Sequence, residues 1–222
     1  TIQAGTLYNS PPPTQGLASL MILALFDRLR VAQADNFEHI HGIVEATKRA
    51  FRVRDRVITD PDKISGDLDR YLSSSFIDAE ASKIDARKAA RWPAPYGEGD
   101  TIWMGAADAS GLVVSYIQSL YWEFGSGCVL PATGILMQNR GASFSLDPKS
   151  LNALSPGRRP FHTLNPAIAA LKDGRFIAYG TMGGDGQPQS QAAVFTRYVN
   201  FRQPLDKALD APRWLLGRTW GS

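Results

Sequence analysis

The stretch Gly97-Glu98-Gly99-Asp100-Thr101-Ile102-Trp103-Met104-Gly105 turns abruptly from a loop into an apolar strand, with a threonine at the strand's head. Other nucleophile arrangements are poorly supplied. The chain has three histidines, of which only His162 lies in the strand-rich half, so a Ser-His-Asp or Cys-His set has little to draw on. The single cysteine, Cys128, beside Gly127, reads as a small buried residue, and it excludes an intrachain disulfide framework or a multi-cysteine metal site. Acidic residues of the second half, Asp108, Asp147 and Asp173, sit singly in turns rather than in catalytic pairs. What remains is a hydroxyl with an unusual base. Cutting the Asp100–Thr101 bond would make Thr101 a new N-terminus. Its α-amino group, with an ordinary pKa of about 7.7–8.0, could then take the hydroxyl proton, so that nucleophile and base come from one residue. An ordinary strand threonine satisfies the same pattern.

The elements that would have to position this residue can be read in outline. Thr101–Ala107 and Leu112–Tyr121 alternate as strands around Asp108-Ala109-Ser110-Gly111, which suits a three-residue hairpin loop with Gly111 left-handed. Facing residues then have numbers summing to about 220, which puts Thr101 opposite Ser119; a four-residue loop would put it opposite Gln118. Ala167–Leu171 and Arg175–Tyr179 form a second hairpin. It runs into Gly180-Thr181-Met182-Gly183-Gly184-Asp185-Gly186-Gln187 and a helix from about Pro188 to Asn200. A glycine cluster feeding a helix N-terminus offers N–H groups to an anion or oxyanion, although taken alone it reads more readily as a plain tight turn. Asn139–Ser145 is small and polar, as suits a loop beside a ligand. Residues 145–160 form a long irregular connection, Gly134–Gln138 reads as a short strand, and a last short helix starts at Leu205.

The first half is helical. After a short strand over residues 2–8, Pro11-Pro12-Pro13 breaks the chain and Thr14 caps an apolar, interior helix over Gly16–Leu29. A second helix is capped by Asp35 or Asn36. It buries Phe37, Ile40, Val44, Thr47 and Phe51 and turns Glu38, Glu45, Lys48 and Arg52 outward. His39 and His41, two apart, point in nearly opposite directions and suit solvent or partner contacts rather than a shared metal. Shorter helices are expected near Asp67–Leu72 and Asp78–Ala90, with Arg91–Gly99 as a surface loop.

Charge decides little: 24 Lys plus Arg against 21 Asp plus Glu gives +3. The basic group Lys48, Arg49, Arg52, Arg54 and Arg56 reads as a solvated helix face, without the interleaved aromatics of a nucleic-acid stripe. The longest apolar run, Leu17–Phe26, is about half a membrane span. Neither nucleic acid nor membrane is an expected partner. No cationic leader opens the chain, and because it begins at Thr1 in mid-pattern, an upstream segment is expected.

Gly99-Asp100-Thr101, Phe124-Gly125-Ser126-Gly127, Gly157-Arg158-Arg159-Pro160, Gly183-Gly184 and Asp210-Ala211-Pro212-Arg213 occur in the order and spacing of the γ-glutamyltranspeptidase family, and Pro11-Pro12-Pro13-Thr14 and Asp60-Pro61-Asp62 fit as well. Over essentially its whole length the chain resembles that family of N-terminal-nucleophile hydrolases. The resemblance implies an α+β fold, a four-layer αββα sandwich that is incomplete here. Residues 1–100 would be the C-terminal part of the large subunit and residues 101–222 the small subunit, truncated at its end. It further implies a proenzyme that cuts itself between Asp100 and Thr101, with Thr101 as nucleophile, Ser119 as its hydrogen-bonding hydroxyl, and Gly183 and Gly184 as the oxyanion-hole turn.

The departures from the family pattern lie in the substrate pocket. Ser143 stands for an aspartate that holds the substrate ammonium, His162 and Thr163 stand for a serine pair, Tyr121 for an asparagine, and Arg140 for an uncharged residue. A pocket that loses an acid and gains an arginine should bind an ammonium poorly and tolerate an extra anionic group. In this the chain is similar to the branch that includes oxamate amidohydrolases and some acylases, which implies hydrolysis of a small-molecule amide with water as acceptor. A γ-glutamyltranspeptidase acting on glutathione-like compounds and an unprocessed, non-catalytic homologue are the alternatives. The same resemblance implies no cofactor and no metal, and it makes the rest of the large subunit a partner, including an arginine that grips the substrate carboxylate. A homodimer is compatible with it, and a cytoplasmic location is preferred over a periplasmic one.

Overall fold

The computed structural model describes residues 1–92 and 100–216; the expected surface loop up to Gly99 lies outside the described residues from position 93 on. Helix α1 (Gly16–Leu29) has the expected bounds and is interior, with Leu17, Met21, Ile22, Leu25 and Phe26 all buried. The helix begins one residue beyond the expected cap: Gln15 is the N-cap, and the Thr14 hydroxyl accepts the Gly16 N–H at 3.0 Å. Helix α2 (Phe37–Val57) is capped by Asn36, whose Oδ1 accepts the His39 N–H at 2.9 Å.

The buried stripe of α2 is wider than the expected one and shifted at its start. Thr47 and Phe51 are buried as expected, but Phe37 is exposed and Ile40 and Val44 are half-buried, while His39, Ile43, Ala46, Ala50 and Val53 are buried. Close approach to α1 decides this, because a Cβ at Gly42 would sit 3.0 Å from Leu29 and 3.3 Å from Phe26. His39 therefore does not point to solvent. Its Nδ1 accepts the Asp35 N–H at 3.0 Å, so Nε2 carries the proton and donates to Thr196 Oγ1 at 2.9 Å, with the rings of Phe26 and Phe201 packed edge-on against the imidazole.

Burial holds the His39 pKa down at about 4. The unfolded chain takes up this proton near pH 6.5 and the folded chain does not, so stability is constant with respect to His39 above pH 6.5. It then falls by up to about 1.4 kcal/mol per pH unit between pH 6.5 and 4. Urea denaturation across that interval, compared with His39→Gln, reads the effect; the variant is expected to show the flatter profile, and equal slopes would contradict it.

The basic group on α2 is only in part a solvated face: Arg52 and Arg56 are exposed, whereas Lys48 and Arg54 are buried. Lys48 is buried with Glu45 at 2.6 Å and donates to the Ala90 carbonyl at 2.7 Å; Arg49 and Arg52 donate to the carbonyls of Lys83 and Arg91. These side chains hold residues 83–91 along α2, so the expected helix over Asp78–Ala90 is instead α3 (Ser74–Ala81), started by the Ser73 cap. The preceding turn, Asp69–Leu72, is 3-10.

An antiparallel sheet in the order β1-β4-β5 unites β1 (Gly5–Asn9) with the second hairpin, β4 (Ala167–Leu171) and β5 (Phe176–Tyr179). Its buried positions, Leu7, Ala167, Ala169 and Leu171, alternate as a one-sided sheet requires, and α1 packs against β1. A second, two-stranded sheet pairs β2 (Asp100–Ala107) with β3 (Val113–Tyr121). Asp108 N–H meets the Leu112 carbonyl at 3.1 Å and Gly111 has φ +91°, as the three-residue loop demands. Facing numbers sum to 220 from Ala107↔Val113 to Ile102↔Gln118, after which the register shifts and Asp100 pairs with Tyr121. Thr101 thus stands at a bulge against the Ser119–Leu120 step rather than in a regular pair with Ser119.

Gly134–Gln138 is not a strand. Gly134 at φ +70° closes a turn whose ladder contact among the described residues is the isolated Val129↔Leu136 bridge. Helix α4 (Gln187–Phe195) continues into a π-helical turn over Thr196–Asn200, and α5 (Leu205–Asp210) follows. The described residues thus form a mixed α/β fold.

Candidate active site

The head of β2 is fixed by its own tryptophan. Trp103 donates Nε1–H to Ser115 Oγ at 2.9 Å and lays its ring against Gly180, where a Cβ would stand 2.1 Å from Trp103 Cδ1. The hairpin is therefore locked onto the chain leaving β5, immediately before the glycine cluster. Gly183 (φ +103°) and Gly184 (φ +51°) take consecutive left-handed conformations, and Gly186 N–H closes the turn on the Gly183 carbonyl at 2.7 Å. Helix α4 starts on the next residue, with Pro188 in its first turn where no N–H is needed. This brings Gln187 Nε2 within 3.5 Å of Thr101 Oγ1, and both residues are buried.

A polar network ties this turn to the loop containing Thr163. Gln15, fully buried, donates Nε2–H to the carbonyls of Thr163 (2.7 Å) and Gly184 (2.8 Å), and its Oε1 accepts from Arg54 at 2.9 Å. The same Arg54 nitrogen reaches Asp185 Oδ1 at 2.6 Å, and its guanidinium lies 4.0 Å over the Phe51 ring. Burial raises the Asp185 carboxyl above its ordinary range against the pull of Arg54.

Arg140 is the unusual charge. It opens a 3-10 turn, Arg140–Ser143, and is 6% exposed. Its guanidinium stacks 3.8 Å over the Tyr121 ring and donates to Thr163 Oγ1 at 3.3 and 3.4 Å. Among the described residues no carboxylate forms an ion pair with it. Burial lowers its pKa to about 10, which leaves it charged at neutral pH. Tyr121 has φ +81°, a strained conformation for a residue with a side chain, and its N–H donates to Ser119 Oγ at 2.8 Å. His162 hangs from a backbone bond to the Pro13 carbonyl; its Nδ1 is buried without a partner among the described residues, and burial together with Arg140 holds its pKa at about 4, so it is neutral. Ser143, half-buried, is three residues after Arg140 on the same 3-10 turn, the spacing at which side chains eclipse.

Tyr121, Arg140 and Thr163 are thus in direct contact, and Arg140 acts electrostatically on His162. Gly184 joins Thr163 through Gln15, and Thr101 meets the helix that follows Gly183-Gly184. Four residues of the network, Gln15, Arg54, Asp185 and Gln187, escaped the sequence reading. The available signal was Gln187-Pro188-Gln189-Ser190-Gln191, a helix start that spends three amides on buried positions.

The fold and the site thus define an α/β protein that sets a buried strand-head threonine against the first residue of a helix that follows a glycine turn, and that buries an arginine with no ion-pair partner among the described residues. The sequence model of the gamma-glutamyltranspeptidase family matches residues 1–222, and the chain belongs to that family. It is 59% identical over 219 residues to the oxamate amidohydrolase proenzyme of Klebsiella pneumoniae, covering 99% of this chain and 42% of that protein. It is 41% identical over 218 residues to the glutathione hydrolase-like YwrD proenzyme of Bacillus subtilis, covering 97% and 41%. Among solved structures, the cephalosporin acylase from Bacillus halodurans superposes with a TM-score of 0.86 at 35% identity, over 98% of this chain and 40% of that one. The chain spans about two fifths of the length of these relatives.

Proposed function

We propose that the protein containing this chain is a self-processing amide hydrolase for small amides that carry a carboxylate next to the reacting carbonyl. The observation that carries the substrate class is Arg140, a buried cation without an acidic partner among the described residues, held by Tyr121 and Thr163. A substrate carboxylate would supply the missing charge, and Ser143 in place of an acid removes the group that would repel it. The 59% identity to a protein named for oxamate hydrolysis points the same way.

In this reading the chain is cut between Asp100 and Thr101, and residues 1–100 and 101–222 belong to different subunits. Thr101 Oγ attacks the amide carbon while the freed α-amino group takes its proton, and the oxyanion is held by the Gly183-Gly184 turn. The tetrahedral intermediate expels ammonia, which receives the proton from the α-ammonium. Water then adds to the threonyl ester, the α-amino group again takes a proton, and the acid leaves with Thr101 restored. Ser119 steadies the nucleophile, while Tyr121, His162 and Thr163 shape the carboxylate end of the pocket. The four-layer sandwich is completed by chain outside these residues. The apolar face of the β2–β3 hairpin, with Ile102 at 58% and Met104 at 50% exposure, is where that remainder docks.

Mass spectrometry of the full-length protein, with assays on oxamate and on a γ-glutamyl anilide, tests the reading. Fragments parting between Asp100 and Thr101 and ammonia release from oxamate are expected. Brisk γ-glutamyl transfer to dipeptides would overturn the substrate class, and an uncut but active protein would overturn the nucleophile.

A further inference from the structure

Gln187 carries one half of its carboxamide unused. Its Nε2 lies 3.5 Å from Thr101 Oγ1, whereas its Oε1 is buried with no hydrogen-bond partner among the described residues. The residue has no accessible surface and opens α4 directly after the glycine turn, with Pro188 behind it, so its backbone is pinned. The neighbouring buried amides differ: Gln15, Gln189 and Gln191 each use both ends, Gln189 donating to the Asp185 carbonyl and accepting the Leu216 N–H, and Gln191 accepting from Ser19 and donating to the Asn165 carbonyl. An acceptor left empty at zero exposure among the described residues, on a side chain whose other end reaches the strand-head hydroxyl, calls for a donor.

We propose that Gln187 is a positioning residue for Thr101. Its Oε1 accepts a hydrogen bond from the α-amino group that scission of the Asp100–Thr101 bond creates, while its Nε2 donates to Thr101 Oγ1. One carboxamide then fixes the amine and the hydroxyl relative to each other, which is the alignment that proton transfer between them needs. This rests on the reading of Thr101 as an N-terminal nucleophile, and it adds a residue to which that reading assigned no role. Before scission Thr101 N is an amide nitrogen with a single hydrogen; afterwards it has the additional hydrogens that an empty acceptor can use.

The test uses the full-length protein and two variants, Gln187→Met, which keeps the volume without polar atoms, and Gln187→Glu, which keeps the acceptor. Oxamate hydrolysis and subunit masses are followed in each. The processed Gln187→Met protein is expected to lose roughly 10- to 100-fold in kcat with KM within about threefold, because alignment of base and nucleophile is lost while the Arg140 end is untouched. Gln187→Glu is expected to recover at least part of the kcat lost in Gln187→Met. Wild-type kcat in processed Gln187→Met, a change confined to KM, or a Gln187→Glu protein no better than Gln187→Met would each overturn the proposal. If Gln187→Met does not fold, processed Gln187→Glu with kcat more than about 100-fold below wild type would also overturn it. An uncut, active wild type would overturn the Thr101 reading and this proposal together; a cut wild type beside a fully active Gln187→Met overturns only the role of Gln187.

Discussion

Thr101→Ala in the full-length protein is expected to stay uncut and to lose roughly 10⁴- to 10⁶-fold in amide turnover, the scale set by removing a nucleophile that acts as a unit with its base. The same oxygen is asked to do both jobs. In the proposed mechanism it attacks the carbonyl of Asp100 in the intact chain and the substrate afterwards, so a single deletion would remove both readouts. Ser119 cannot replace it: that hydroxyl accepts the Tyr121 N–H at 2.8 Å and lies inside β3, where no α-amino group can be generated. Thr101→Ser keeps the oxygen and is expected to be cut and active. Subunit masses and ammonia release measure both variants. Turnover within tenfold of wild type in Thr101→Ala would remove Thr101 from the chemistry.

Arg140→Met is expected to lower kcat/KM for oxamate by about 10²- to 10³-fold, in the range that losing one partner of a buried, hydrogen-bonded charge pair commonly costs. An uncharged analogue such as the corresponding ester should lose far less, because it never engaged the guanidinium. Arg140→Lys is not expected to rescue, since a point ammonium offers neither the flat face stacked on Tyr121 nor the fork donated to Thr163. Stability should move the other way. In the free enzyme Arg140 is a buried cation with no ion-pair partner among the described residues, and an apolar side chain of similar length relieves that cost. Loss of activity together with an equal or higher melting temperature separates a substrate-anchoring arginine from a structural one; an unfolded Arg140→Met protein would mark it as structural.

Much of this arrangement was legible from local chemistry. The three-residue hairpin loop follows from Asp108-Ala109-Ser110-Gly111, because only a left-handed glycine closes it, and the loop fixes the ladder as far as Ile102↔Gln118. The apolar circumference of Gly16–Leu29 requires an interior helix, and it is one. Failures came where a distant element overruled a local pattern. The buried face of α2 was set by Gly42 meeting α1 rather than by the helix's own apolar spacing, and His39 went inside with it. Lys48, Arg49 and Arg52 found carbonyl partners in residues 83–91, which a reading of charge along one helix cannot anticipate.

The sequence by itself determined the glycine turn, the threonine at the head of β2 and the hairpin register as far as Ile102↔Gln118. Those features depend on neighbours within a few positions or on a linear order of motifs. Tertiary structure decided the rest. It shifted the register at Thr101, so that the threonine sits on a bulge, and it stacked Arg140 on a strained Tyr121. It also linked Gly184, Thr163, Arg54 and Asp185 through Gln15, and set the half-satisfied Gln187 against Thr101. The physical reason is separation along the chain. Buried amides and charges take their partners wherever the fold brings them, here as far apart as Gln15 and Gly184, which no local pattern records.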